Sequence, residues 1–363
     1  MSSRRCLRCG GVYGGDARFC PKDGSPLVDV QTPVLPKTPP SAGGGAGART
    51  VERRIVPQAE GPGLDRAATL VDQILDRRYQ VLKRLGEGGM AYVYQARELS
   101  SGDLVAIKVL SPRLLGDPSS VERLRREAGL AMRLNHPNVC RILRLGETEE
   151  GLIYLVMPFL RGELLSDREA KGGPMALQPG LDLLRQMCEG LYHAHGLQII
   201  HRDLKPENVM LVSDAGDQER AVVMDFGLAK ERRADPAVQK LTATGIILGT
   251  PEFMSPEQIR GRVLDGRSDI YALAVVAFEM FTGKLPFSGK SAQEIMIARL
   301  RGQPASLRQY RADLPEELDR VLIKAMNVTP EGRFATALEF AEALDGAGGG
   351  SGGSGFLSRL RGR

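Results

Sequence analysis

Two short stretches narrow what this chain can be more than its composition does. Residues 199–212 read IIHRDLKPENVMLV, and residues 222–230 read VVMDFGLAK. Asp203 and Asn208 fall in a loop between a helical pattern and a short apolar run, and Asp225 closes the next apolar run just ahead of a flexible Phe-Gly pair. Turns between short strands can bring three such side chains together. An amide oxygen and a carboxylate are hard donors that suit Mg2+, an ion usually held by few protein groups plus substrate phosphates; a second carboxylate can take a proton from an attacking hydroxyl.

The surrounding pattern changes partway along. From Tyr79 to Met157 short β-type runs dominate (YQVLKRL, AYVYQA, LVAIKVL, LIYLVM) with one helical interruption, and beyond them the periodicity is mostly helical (LDLLRQMCEGLYHAHG, DIYALAVVAFEMFTG, PEELDRVLIKAM). This predicts an α+β body with a small, largely antiparallel β-rich lobe, a larger helical lobe and a ligand cleft between them. The turn LGEGGMAYVY sets Gly86, Glu87, Gly88 and Gly89 before a strand resuming at Tyr92 and Val93. It is either a plain hairpin turn or a loop whose amides approach a phosphate, and the strand that follows it argues against a dinucleotide-binding turn. In LVAIKVL, Lys108 shares a strand face with Ala106 while Val105, Ile107 and Val109 share the other, so the ammonium faces either solvent or the cleft. The helical interruption lines up Val121, Leu124, Ala128, Ala131 and Leu134, with Glu127 on the same side. A carboxylate there needs water at the helix edge or a cation aimed at it.

With SPE at 255–257, these motifs and their order make residues 76–345 resemble a eukaryotic-type serine/threonine protein kinase domain of the kind found in bacteria. The resemblance implies a bilobal protein kinase fold that transfers the γ-phosphoryl group of ATP, with Mg2+, to Ser/Thr hydroxyls of protein substrates. It implies that Lys108 pairs with Glu127 and orients the α- and β-phosphates, that Asp203 is the catalytic base, that Lys205 steadies the γ-phosphate, and that Asn208 and Asp225 hold Mg2+. Gly86, Glu87, Gly88, Gly89, Val93, Ala106, Lys108, Met157, Pro158 and Leu160 then form the ATP site. Adenine is expected to use the Pro158 carbonyl and the Leu160 amide, so a proline in this hinge loses only an amide that is not needed. Glu257, in SPE where the family has APE, is expected to pair with Arg333 in PEGRF. Autophosphorylation at Thr244, with Thr242 as a second site, is expected between two copies in a transient homodimer and draws its segment onto the Arg202 guanidinium. The alternative is a pseudokinase-type scaffold or nucleotide-regulated adaptor; competent residues at Lys108, Glu127, Asp203, Asn208 and Asp225 favour catalysis.

Residues 1–28 place Cys6, Cys9 and Cys20 with Asp23 in two similar turns, CLRCG and CPKDG, which resemble a zinc ribbon with a carboxylate as fourth ligand; the rival is a metal-free, degenerate knuckle. Three of five cysteines in one cluster suit a metal site in a reducing compartment better than a disulfide framework. Residues 29–75 are a Pro/Gly/Ala-rich linker, and 346–363 are a Gly/Ser-rich tail ending in the basic FLSRLRGR. The net charge is +5, but residues 1–75 hold ten Lys/Arg against seven Asp/Glu and the last eight residues hold three Arg, so the main body is nearly neutral. With few aromatics beside the basic ends, nucleic-acid binding is disfavoured. No apolar segment follows MSSRRCLRCGG, and the longest apolar run, 270–281, contains Glu279 and falls short of a bilayer span. The expectation is a cytoplasmic protein without a membrane span.

Overall fold

The computed structural model describes residues 66–88, 91–110, 118–213, 219–226 and 251–349, together with three short N-terminal strands. Two units emerge, Met1–Ala59 and Glu60–Arg363. The first contains β1 (Ser3–Cys6), β2 (Val12–Gly14) and β3 (Leu27–Asp29), antiparallel in the order β2-β1-β3. The zinc expectation lies outside the described residues at Cys9, Cys20 and Asp23, and at the side chain of Cys6; so do Gly89, Thr242 and Thr244.

The second unit begins earlier than its composition suggests. Residues 66–75, expected to be linker, are packed: Ala67, Leu70 and Leu75 are buried, and Tyr94 Oη donates to the Ala67 carbonyl at 2.5 Å. So short a stretch shows no period, and only its partners reveal it.

Six strands follow: β4 (Ile74–Leu75), β5 (Tyr79–Gly88), β6 (Ala91–Glu98), β7 (Leu104–Leu110), β8 (Arg144–Glu147) and β9 (Ile153–Pro158). They form an antiparallel sheet in the order β4-β5-β6-β7-β9-β8. Along β7 the period of two sends Val105, Ile107 and Val109 into a core with Tyr79, Tyr94 and Tyr154, while Ala106 and Lys108 stay half-open on the opposite face. Register sets Lys108 between Val93 and Leu155, and Ala106 between Gln95 and Met157. Helix α1 (Pro118–Ala131) buries Leu124, Ala128 and Ala131 as its spacing predicts, Leu124 against Leu110 and Ile153, and leaves Glu127 half-buried. Arg125 ties α1 to Glu147 of β8.

The larger lobe holds α2 (Leu165–Gly172), α3 (Leu177–Gly196), α4 (Pro256–Ile259), α5 (Gly266–Thr282), α6 (Ala292–Arg301), α7 (Glu316–Ala325) and α8 (Ala337–Ala347), the last running past the expected boundary at 345. A small sheet, β10 (Gly162–Leu164), β11 (Val209–Ser213) and β12 (Glu219–Val223), lies beside them. Apolar on nearly every side, α5 is the buried axis of this lobe, as such a helix must be. Gly190 of α3 is needed where the chain at 138 crosses it, since a Cβ there would stand 2.9 Å from the Asn138 carbonyl oxygen. That crossing is stitched to β12: Val223 N–H donates to Asn138 at 2.9 Å, and Cys140 N–H donates to Val223 at 2.8 Å. Among the described residues no helix is long and apolar enough to cross a membrane.

Candidate active site

Because β11 and β12 pair through Val209 and Val223, the residues just outside them face each other, and Met224 N–H donates to the Asn208 carbonyl at 2.8 Å. Asp225 stands one step beyond. Asn208 ends a 3-10 turn, Pro206–Asn208, whose leading proline suits a helix start. Its Nδ2 donates to the Asp203 carbonyl at 2.7 Å, which leaves Oδ1 as the end able to meet a cation.

The loop carrying Asp203 is held by a residue that sequence reasoning missed. Asp269, buried at the head of α5, accepts His201 N–H at 2.8 Å and Arg202 N–H at 2.9 Å, and contacts His195 Nε2 at 2.8 Å. Arg202 has φ 68°, a left-handed conformation that costs a non-glycine residue on the order of 1 kcal/mol, and the Asp269 bonds hold it there. Burial pushes the Asp269 carboxyl up, but the His195 hydrogen bond and the nearby histidines outweigh it, so its pKa lies below the usual value and it stays an acceptor. His201, fully enclosed, bridges the two motifs: Nε2–H donates to the Met224 carbonyl at 2.7 Å, and Nδ1 accepts Asp203 N–H at 3.3 Å. Its ring meets Phe226 edge-on at 4.7 Å. The available signal was a carboxylate at the head of an otherwise apolar helix, which demands partners.

Lys108 is where the structure departs from expectation. Its Nζ lies 2.8 Å from Asp225 Oδ1 and out of ion-pair range of Glu127. The face bearing Ala106 and Lys108 does look into the cleft, as one of the two readings had it, but the carboxylate within reach is Asp225. Crowding by protein atoms pushes that carboxyl up; Lys108, then His201 and Lys205, bring it below the usual value. Cys140 is close to this pair, and burial pushes its thiol up to about 12, so it is an unreactive thiol.

The other predicted residues fall into two walls. Gly86 and Gly88 end β5 opposite Val93 and Ala91, and Glu87 is opposite Tyr92. Register sets Val93 beside Lys108 and Met157 beside Ala106, Pro158 closes β9, and Leu160 lies just past it. Opposite them are Asp203, Lys205, Asn208 and Asp225, with Lys205 Nζ 4.0 Å from the Asp203 carboxylate. Glu257 and Arg333 make the expected pair, two parallel hydrogen bonds of 2.7 Å between side chains 6% and 0% exposed. Next to it, Ser255 and Gln258 form a capping box, and Gln258 Nε2 donates to the Arg202 carbonyl at 2.7 Å.

Residues 79–344 match the protein kinase domain family. The chain belongs to that family. Its kinase domain is 37% identical over 276 residues to serine/threonine-protein kinase pkn3 of Myxococcus xanthus, covering 76% of this chain and 50% of the relative. It is 39% identical over 276 residues to PknB of Mycolicibacterium smegmatis, covering 75% and 43%. The chain therefore spans about half, or less, of the length of these relatives. Among solved structures, the PknI kinase domain of M. tuberculosis superposes with a TM-score of 0.62 at 28% identity, over 78% of this chain and 100% of that one. Rad53 in complex with AMP-PNP gives 0.61 at 26%, over 73% and 64%. The anticipated bilobal kinase fold is the fold of the matched region, residues 79–344.

Proposed function

We propose that the chain is an ATP-dependent serine/threonine protein kinase. The observation that carries this reading is the convergence of Asp203, Lys205, Asn208 and Asp225 at the end of one small sheet, with Lys108 reaching them from the other lobe. The relatives pkn3, PrkC and PknB, each named a serine/threonine-protein kinase, support it.

In this mechanism the Asp203 carboxylate takes the proton of an acceptor hydroxyl as that oxygen bonds to the γ-phosphorus; the bond to the β,γ-bridging oxygen breaks, and ADP leaves with the electron pair. Lys205 offsets negative charge on the group in transit. Asn208 Oδ1 and the ionised Asp225 carboxylate are hard donors that fit Mg2+, and these two residues would hold it; when bound, the ion supplies neutralising charge to phosphate oxygens. Phosphate oxygens compete with Asp225 for the Lys108 ammonium, and Glu127 is the second carboxylate able to hold it. Adenine lies along 157–160, using the Pro158 carbonyl and the Leu160 amide, beside Val93 and Ala106.

The same reading includes autophosphorylation at Thr244 and Thr242 between two copies, protein substrates with Ser/Thr acceptors in the cytoplasm, and one zinc held by Cys6, Cys9, Cys20 and Asp23. Incubation with labelled ATP, Mg2+ and an acceptor protein tests it. Transfer by the unaltered chain that is lost in Asp203→Asn supports the reading, whereas ATP binding without transfer by either favours a nucleotide-regulated scaffold. Phosphopeptide mapping checks the loop: label on Thr244, absent in Asp203→Asn, is the expected result.

A further inference from the structure

One buried cation takes no part in the mechanism above. Arg299 of α6 is 0% exposed. Its Nη1 donates to the Met254 carbonyl at 2.9 Å, and its guanidinium lies 5.1 Å from the Phe287 ring centre and 5.9 Å from that of Tyr271. Nε and Nη2 make no hydrogen bond of good geometry among the described residues, nor do the enclosed Tyr271 Oη and Glu252 Oε2, although the Tyr271 phenol lies near enough to act on the guanidinium as a weak acceptor. These atoms share one neighbourhood: burial pushes the Arg299 pKa down, and the phenol of Tyr271 and the carboxylate of Glu252 push it back.

A leucine at 299 would fill the same space without the heavy cost of enclosing a half-satisfied charge. What the guanidinium grips is therefore informative. Met254 directly follows the 3-10 turn Pro251–Phe253 and precedes the Ser255 cap, whose partner Gln258 hydrogen-bonds the Arg202 carbonyl beside Asp203. Hydrogen bonds and one short piece of backbone thus connect α6 to the loop at 251–254 and onward to the catalytic base.

We infer that Arg299 is a positioning residue for the acceptor polypeptide. Through the Met254 carbonyl it fixes the 251–254 loop at the height where an acceptor hydroxyl meets Asp203, and its two unused N–H groups receive the Glu252 carboxylate as that loop closes over the acceptor. The inference rests on the kinase reading.

Steady-state kinetics of the full chain with dephosphorylated casein as acceptor test it. Arg299→Met raises the KM for casein about tenfold while the KM for ATP stays within about twofold, and Arg299→Lys, which can still donate to Met254, shows only about a threefold rise. An unchanged KM for casein in Arg299→Met overturns the inference. So does a joint rise of both KM values that lysine does not rescue, since general damage to the fold would do that. If Arg299→Met does not fold, Arg299→Lys decides alone: a raised KM for casein at constant KM for ATP supports the inference, and no rise overturns it. If the unaltered chain transfers no phosphate to casein, the kinase reading fails and this inference falls with it.

Discussion

The Asp203 backbone is held at both ends, its N–H by His201 and its carbonyl by Asn208, so the carboxylate can be altered without moving the loop. Asp203→Asn is expected to lower phosphoryl transfer by roughly 10²- to 10⁴-fold with ATP affinity retained, as measured by labelled-ATP transfer beside calorimetric titration of ATP. Lys108 is coupled differently. Lys108→Met strips the cation from Asp225 as well as from the nucleotide, and should weaken ATP binding and turnover together; Glu127→Gln should cost less, because its amide can still accept a hydrogen bond. A Glu127→Gln loss equal to that of Lys108→Met would show that the Glu127 charge, and not the Asp225 pair, anchors the lysine. His136 offers a pH test. It stacks on His193 at 5.4 Å, its Nδ1 accepts Asn138 N–H at 3.2 Å, and burial, then His193, lowers its pKa to about 4. The unfolded chain binds a proton there near pH 6.5 and the folded one does not, so this contribution is lost as pH falls from about 6.5 towards 4. Glu169 runs the other way: burial, then Glu279 and Glu207, raise it to about 8, so folding gains from it as pH falls from about 8 towards 4.5, a window that overlaps that of His136. The useful observable is therefore the difference between unaltered chain and His136→Gln. From pH 7 to pH 5 the unaltered chain should lose about 1 kcal/mol relative to the variant in denaturant titrations, the full linkage value being reduced because His136 is partly exposed to solvent.

Among the elements, α5 and the segment 251–259 carry the support. Arg333 and Glu257 are enclosed, and removing one leaves the other's charge buried, so Arg333→Leu should destabilise by about 3–5 kcal/mol, whereas Arg333→Leu with Glu257→Leu should cost less than the two single changes combined. Thermal or denaturant melts of the double-mutant cycle measure this. That pair was legible because the resemblance supplied both partners. The strands from Tyr79 to Met157 were legible for a different reason: a period of two survives wherever one face is buried, as Val105, Ile107 and Val109 show. What could not be read was the choice of partner across space. Nothing local to LVAIKVL distinguishes Glu127 from Asp225 as the carboxylate for Lys108, since the choice depends on how two lobes meet. Asp269 was hidden for the same reason, its hydrogen bonds spanning from 67 to 74 positions of sequence. Residues 66–75 were hidden by their company, a short packed stretch inside a Pro/Gly/Ala-rich one.

For the molecule as a whole, the cysteine cluster and the kinase motifs fall in different units, Met1–Ala59 and Glu60–Arg363, so each can be tested by itself. Purified protein is expected to carry about one zinc per chain by elemental analysis, and Cys9→Ser to lose it while phosphoryl transfer persists; a zinc-free preparation would favour the degenerate knuckle. Within the larger unit the sheet and the helices have separate cores, and α1 is shared: Ala128 and Ala131 join Leu134 and Val139 in the core of the helical lobe, while Leu124 packs against Leu110 and Ile153 of the sheet. A helix seated in both cores couples them, so a bulkier side chain at Ala128 would press on the helical lobe and one at Leu124 on the sheet.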